Sequence, residues 1–275
     1  MANLRGIRMR IKSVESTRQI TKSMKMVAAA KLRKTQTASG RLQSFAGKAE
    51  QILRDLGGAK GAELPLLKPG KSGAKVCYVL IVGNRGLCGT YNHSLLRYFE
   101  QLRKSESRES LLYVVGRWGR DLIGAVDRRI EMSDAPSAAE AESLAEELKR
   151  LYLSGEAEEI VLVYQHFRSV LQQNPCSKTL LPLQLDETDG DSDVICEPDS
   201  QTVLAQLTEL VLQTQVHAAL LEARTGEHAA RMTAMTSASD NTEELIAELT
   251  LELNHARQAA ITTEISEIVG GAAAL

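Results

Sequence analysis

Residues 4–56 contain no proline, and their only glycines are Gly6, Gly40 and Gly47. Leu4, Ile7, Ile11, Val14, Met24, Ala28, Leu32, Leu42, Ala46, Ala49, Leu53 and Leu56 recur at steps of three and four or multiples of seven. Side chains at that spacing share one side of an α-helix. Strict heptad counting also lands on Arg18, Thr21 and Lys25, where an apolar seam would break. Between Val14 and Val27 the apolar residues shift instead to Ile20, Met24 and Val27, which reads as a coiled-coil stutter. At a rise of about 1.5 Å per residue the stretch reaches ~75 Å, far beyond an ordinary globular helix. A helix of that length needs a partner along it.

The other end of the chain supplies a candidate. After Glu197, Pro198 and Asp199, about 70 residues run without proline. Leu204, Leu207, Val211, Leu220, Leu221, Met232, Met235, Leu245, Leu249, Leu253, Ala256, Ala260, Ile265 and Ile268 form a helical stripe there. Charge supports the pairing. Residues 1–75 carry 17 Lys and Arg against 4 Asp and Glu, whereas residues 200–275 carry three arginines against ten acids. The two ends are therefore complementary. Aromatic content of 4% beside 43% hydrophobic residues fits packing of Leu, Ala, Val and Ile on long helices.

Between the helices the pattern changes. Residues 58–75, rich in Gly, Lys and Pro, read as a linker. Residues 76–82, 111–115 and 159–166 are short, β-rich apolar runs, as strands buried on both faces read, and 178–185 reads as a fourth strand. Amphipathic helices are expected at 92–104 and from about 138 to Leu153, with Ser137 and Glu140 at capping-box spacing and Gly155 as the stop. A short helix is expected near Trp118–Val126, and the acidic stretch 186–193 reads as a loop. Strand–helix alternation implies βαβ units and a mainly parallel sheet. The expected fold is thus α/β: an antiparallel coiled coil of terminal helices, 1–57 and 196–275, with a Rossmann-like domain at 76–195 inserted between them.

The chemistry-bearing motifs are sparse. The turn Gly83-Asn-Arg-Gly86-Leu-Cys88-Gly89 follows a strand and precedes a helix, where phosphate loops sit, but it is neither GxGxxG nor a P-loop. It reads as a tight turn. The basic face Arg8, Arg10, Lys12, Arg18, Lys22, Lys25, Lys31, Arg33 and Lys34 is open to nucleic acid, to an acidic protein surface or to solvent alone, yet no aromatic precedes Phe45 to stack on a base. His93, His166, His217, His228 and His255 lack metal-ligand spacing, and no Ser/His/Asp arrangement is signalled. Glu243 with Glu244, and Asp186, Asp189, Asp191 and Asp193, read as solvated acids, and Met24, Met26, Met232 and Met235 as packing. No catalytic residue, cofactor or metal is expected. No apolar run reaches 18 residues, no apolar signal core follows the basic start, and Cys77, Cys88, Cys176 and Cys196 form no CxxC pair, which together favour reduced thiols in a cytosolic compartment. The small, uncharged end Gly270-Gly271-Ala272-Ala273-Ala274-Leu275 reads as a fraying terminus or as a thin tip for a narrow sleeve.

Three stretches carry a family resemblance. They are Ile20-Thr-Lys22-Ser-Met24-Lys25-Met26-Val-Ala-Ala-Ala-Lys31-Leu-Arg33; Arg85-Gly-Leu-Cys88-Gly89; and Ala230-Arg-Met-Thr-Ala-Met235 with Ser239-Asp-Asn241, then Ala256-Arg257-Gln258-Ala-Ala-Ile-Thr262 with Glu264, Ile265 and Glu267-Ile-Val269. In this order they resemble the gamma subunit family of F-type ATP synthases. The resemblance implies a non-catalytic central-stalk rotor whose paired helices stand inside a ring of alpha and beta subunits. It implies beta-subunit contacts at Lys22, Met24, Lys25, Cys88, Arg257 and Gln258, and contacts toward the epsilon subunit and the membrane c ring at Glu197, Pro198 and Asp199. Residues Gly270, Gly271, Ala272, Ala273, Ala274 and Leu275 would form a bearing tip. Location at the cytoplasmic side of a bacterial cell membrane, held peripherally, follows from the same resemblance. The cysteine-bearing regulatory insertion of chloroplast relatives is missing. Two rival classes are a nucleotide-binding α/β enzyme with helical extensions and a basic coiled-coil nucleic-acid binder.

Overall fold

A computed structural model describes residues 2–61, 64–71, 73–120, 122–184, 196–197 and 199–273. Among the described residues nine elements follow in order: α1 (Ala2–Gly61), β1 (Lys75–Ile81), α2 (Tyr91–Ser105), β2 (Ser110–Val115), β3 (Arg128–Ile130), α3 (Ala138–Leu153), β4 (Ala157–Phe167), β5 (Gln173–Leu181) and α4 (Ser200–Ala273). Contacts group them into two compact units, Met1–Ala28 with Arg231–Leu275, and Ala29–Ala230.

The 60 residues of α1 keep a seven-residue repeat more strictly than the apolar pattern suggests. Positions 4, 7, 11, 14, 18, 21, 25, 28, 32, 35, 39, 42, 46, 49, 53 and 56 are all buried or half-buried. The expected drift to Ile20 and Val27 does not occur: they are 61% and 56% exposed. The repeat runs straight through Arg18, Thr21 and Lys25. Long cationic side chains can cover a seam with their methylenes while the charge stays in water, and Thr21 finds a polar partner across the seam. α1 also continues through Gly57 and Gly58 to Gly61, because glycine lowers helix propensity without forbidding a helix.

In the first unit, α1 and α4 lie side by side. Arg18 approaches Glu243 at 3.9 Å, and the Thr21 and Ser239 hydroxyls are hydrogen-bonded at 2.9 Å. Numbers fall on α4 as they rise on α1, so the pair is antiparallel.

The second unit is built on a five-stranded sheet of order β3-β2-β1-β4-β5. β1 pairs in parallel with β2 and β4, and β2 with β3; only β4 and β5 are antiparallel. β1 is buried on both faces beyond Lys75, as its uninterrupted Val-Cys-Tyr-Val-Leu-Ile requires. Cys77, Val79 and Ile81 face a core shared with α3 (Ala141, Leu144, Leu148), α1 (Ala49, Leu53) and α4 (Leu212, Val216, Leu220). Val76, Tyr78, Leu80 and Val82 face the opposite core with Leu95 and Phe99 of α2. α3 begins on the expected capping box: Glu140 N–H donates to Ser137 Oγ at 3.2 Å, and Ser137 N–H to Glu140 Oε2 at 2.8 Å. α4 begins likewise, its Thr202 N–H donating to the Asp199 carboxylate at 2.9 Å.

Two local expectations change. The described residues of Trp118–Val126 form turns, not a helix; Gly119 sits at φ +71°, a conformation that breaks helical propagation, and Ile123 closes the second core. The edge strand β5 starts at Gln173, five residues before the apolar run, because antiparallel pairing at an edge admits Asn174 and Pro175. The acidic residues Asp186, Asp189, Asp191 and Asp193 lie outside the described residues.

Candidate functional site: a closed crevice and an exposed helix pair

In open α/β sheets ligands enter beyond the carboxyl ends of the strands, where the strand order reverses. Here that switch point lies between β1 and β4. Glu227 of α4 accepts the Asn84 N–H, just past β1, at 3.3 Å, and Glu222 accepts the Phe167 N–H, at the end of β4, at 3.0 Å. His166 Nδ1 lies 2.5 Å from the same Glu222 carboxylate. The backbone donors that an anionic ligand would use are thus taken by the chain's own carboxylates.

The closure is tight. Tyr91, the first residue of α2, donates its hydroxyl to Ala223 O at 2.6 Å. A Cβ at Gly226 would stand 3.1 Å from the Tyr91 ring, and one at Gly83 would stand 3.1 Å from the Glu227 carboxyl carbon. Glycine at both positions lets α4 seat against the sheet. Burial, then the charge of Glu227, pushes the Tyr91 hydroxyl well above its ordinary pKa, and burial, then Glu222, does the same to Tyr164. Both phenols are held as neutral donors.

Every residue of α4 from 219 to 229 is buried, including Glu222, Arg224, Glu227 and His228. Arg224 is 1% exposed. Its Nε donates to Ser133 O at 3.1 Å, its Nη2 to Met132 O at 3.3 Å, and its Nη1 to Glu227 Oε2. Asn84 Nδ2 donates to Met132 O at 2.6 Å, and His228 Nε2 lies 3.5 Å from Asp134 O. Lys31 of α1 donates to Asp134 at 2.5 Å and holds that carboxyl down to about 2. Stripe reading on α4 passed over these charged residues; the available signal was four ionisable side chains crowded between Leu220-Leu221 and Ala229-Ala230.

Cys88 is 3% exposed, its thiol accepting from Asn92 Nδ2 at 3.3 Å, so the loop presents Arg85 and Leu87 outward, the latter 63% exposed at φ +59°. Glu197 and Asp199 are exposed, Asp199 serving as the cap of α4; Pro198 is outside the described residues. In the first unit, Lys22 is exposed while Met24 and Lys25 are half-buried. Lys22 and Lys25 line a surface groove with Lys12, Arg18, Asp240 and Glu243. Arg257 and Gln258 are exposed on α4 and form no part of that groove. Beyond them Ile261, Ile265, Ile268 and Val269 are 48–71% exposed along one stripe, so the expectation that Ile265 and Ile268 are covered by α1 fails. Gly270 and Ala272 are exposed; the side-chain surroundings of Gly271 and Ala273, and all of Ala274 and Leu275, fall outside the described residues. Among the described residues no helix is long and apolar enough to cross a membrane, and no group of His, Cys, Asp or Glu is arranged to hold a metal ion.

These features define a helix-pair protein whose α/β domain is closed where its fold would take a ligand. The family model described as ATP synthase matches residues 3–275. The ATP synthase gamma chain of Desulfitobacterium hafniense is 41% identical over 280 residues, and that of Moorella thermoacetica 42% over 281, each alignment covering all of both chains. The rotor of the Euglena gracilis mitochondrial ATP synthase shares the fold at a TM-score of 0.68 and 22% identity, over 94% of this chain and 99% of that one. The chain belongs to the ATP synthase gamma chain family: it is a central-stalk subunit, and the catalytic chemistry of the enzyme lies outside it.

Proposed function

We propose that this chain turns inside a ring of alpha and beta subunits and carries work between their ATP sites and an ion-conducting c ring. The helix pair of the first unit meets the beta subunits through Lys22, Met24, Lys25, Arg257 and Gln258, with the Leu87–Cys88 loop as a further contact. The α/β domain, with Glu197, Pro198 and Asp199, faces the epsilon subunit and the c ring. The apolar end of α4, through residues 270–275, runs in the ring's sleeve. The complex sits at the cytoplasmic side of the cell membrane, and this chain is held there through protein contacts alone.

The observation that carries this reading is the asymmetry of the helix pair. Its α1 face shows Arg8, Arg10, Lys12 and Lys22, and its α4 face shows Glu243, Glu244, Glu248 and Glu252, all exposed. A two-helix body has no three-fold symmetry, so three identical subunits around it meet three different surfaces. An identical site is biased toward one state only by a partner that contacts its states with different free energy. Turning the body moves that bias to the next site. Charge on the shaft acts over about a Debye length, ~8 Å, which confines the effect to the subunits touching it.

The test is co-purification of the full chain with alpha and beta subunits, followed by ATP hydrolysis with and without it. A stable complex whose turnover depends on this chain is the expected result. Failure to co-purify, or turnover indifferent to the chain, overturns the reading. The nucleotide-binding alternative is opposed by the carboxylates and α4 backbone filling the crevice, and equilibrium dialysis of the free chain with ATP is expected to show no binding.

A further inference from the structure

We propose that the cluster centred on Arg224 is a torsional joint, which fixes α4 against rotation within the α/β domain so that a turning force on the domain reaches the helix. This rests on the rotor reading above.

The need for such a joint follows from the packing. α4 is surrounded on all sides from residue 219 to 229. Apolar contact is non-directional, and a rod of Leu, Val and Ala held by burial alone resists withdrawal better than it resists turning about its own axis. Hydrogen bonds fix direction. Those of Arg224, Glu227 and His228 come from one angular sector of α4, and they reach backbone atoms of the sheet's loops. Arg224 spans Ser133 O and Met132 O in the loop after β3, and Glu227 takes Asn84 N–H in the loop after β1. Asn84 ties the two loops together through Met132 O. His228 lies against Asp134 O, and Lys31 brings α1 onto the Asp134 carboxylate. One helix and two loops close into a ring of polar contacts, and Lys31 attaches α1 to it at Asp134. A buried ion pair is weak evidence for stability, since apolar residues of like volume often replace it without loss. What it supplies that they do not is a fixed angle. Arg224 is a positioning residue in this role.

The test uses the complete enzyme in sealed vesicles, with ions pumped per ATP hydrolysed as the readout. Three chains are compared: wild type, Arg224→Lys, and the double variant Arg224→Met with Glu227→Leu, which keeps the volume and removes both charges. The double variant is expected to melt close to wild type and assemble, yet to lose several-fold in ions pumped per ATP, while Arg224→Lys retains most of the ratio. In the free chain, hydrogen exchange at the amides of Asn84 and Asp134 is expected to quicken in the double variant while Val79 in β1 stays protected. A double variant that assembles and pumps at the wild-type ratio overturns the joint. Should it fail to fold, Glu227→Gln, which keeps the shape and loses the charge, gives the readout: a reduced ratio supports the joint and an unchanged ratio overturns it. A wild-type chain that neither assembles nor supports pumping instead overturns the rotor reading, so the two failures are told apart.

Discussion

Truncating Arg224 to alanine removes a guanidinium that is 1% exposed and takes its hydrogen bond and charge from the Glu227 carboxylate, itself 2% exposed. Breaking one side of a buried pair costs about 3–5 kcal/mol. Part of that is the loss of a donor at Ser133 O, roughly 1–2 kcal/mol; Met132 O keeps Asn84 as a donor and contributes little. Against a typical total of about 5–15 kcal/mol the loss is severe but survivable. With a urea m-value of roughly 2–3 kcal/mol/M, the unfolding midpoint of the α/β unit falls by about 1–2 M. Urea titrations followed by circular dichroism at neutral pH check this. A gap under ~1 kcal/mol between variant and wild type refutes the claim that Glu227 depends on Arg224.

Other perturbations follow from the same contacts. Ser137→Ala removes the acceptor for Glu140 N–H and should cost about 1 kcal/mol, seen as a lower melting temperature; an unchanged melt contradicts the capping role. Asp134 is held down to about 2 by Lys31, so its contribution is present above the unfolded value near ~3.9 and lost as pH falls through about 2. Because the Lys31 and Asp134 side chains are 38% and 35% exposed, Asp134→Asn should cost under ~1 kcal/mol at neutral pH, and that difference should vanish in acid; persistence at pH ~2 rejects the assignment. Charge reversal of Lys22 or Lys25 to glutamate should lower the ions pumped per ATP in vesicles, and an unchanged ratio removes their electrostatic role. Arg257→Ala should slow turnover of the assembled enzyme while the free chain melts normally; unaltered turnover counts against a beta-subunit contact there.

The βαβ order was legible because each central strand is a short, unbroken aliphatic run and each helix carries its own apolar face. β3 was not, since Arg-Arg-Ile pairs on one side only and needs no apolar character. The seam of α1 was legible in period but not in phase. Apolar matching placed Ile20 and Val27 inward, whereas the backbone repeat turns Arg18, Thr21 and Lys25 inward and leaves those two aliphatics in water. Hydrophobicity alone could not foresee that a threonine would find Ser239 across the seam. The closed crevice was hidden for a related reason. A stripe argument sends Glu222, Arg224, Glu227 and His228 to solvent, and only the tertiary fold shows a helix enclosed at every angle whose charges meet backbone groups of distant loops.

The bare final turns of α4 set a condition on how the chain is made. Ile261, Ile265, Ile268 and Val269 run exposed along a single helix. With no cover such turns fray, and their aliphatic strip is best shielded in dilute solution by the same strip on another copy. Surplus chain is thus the species most exposed to self-association and to proteases. On the rotor reading, its synthesis has to keep pace with that of the subunits proposed to enclose it, and balanced supply becomes a requirement written into the last three turns.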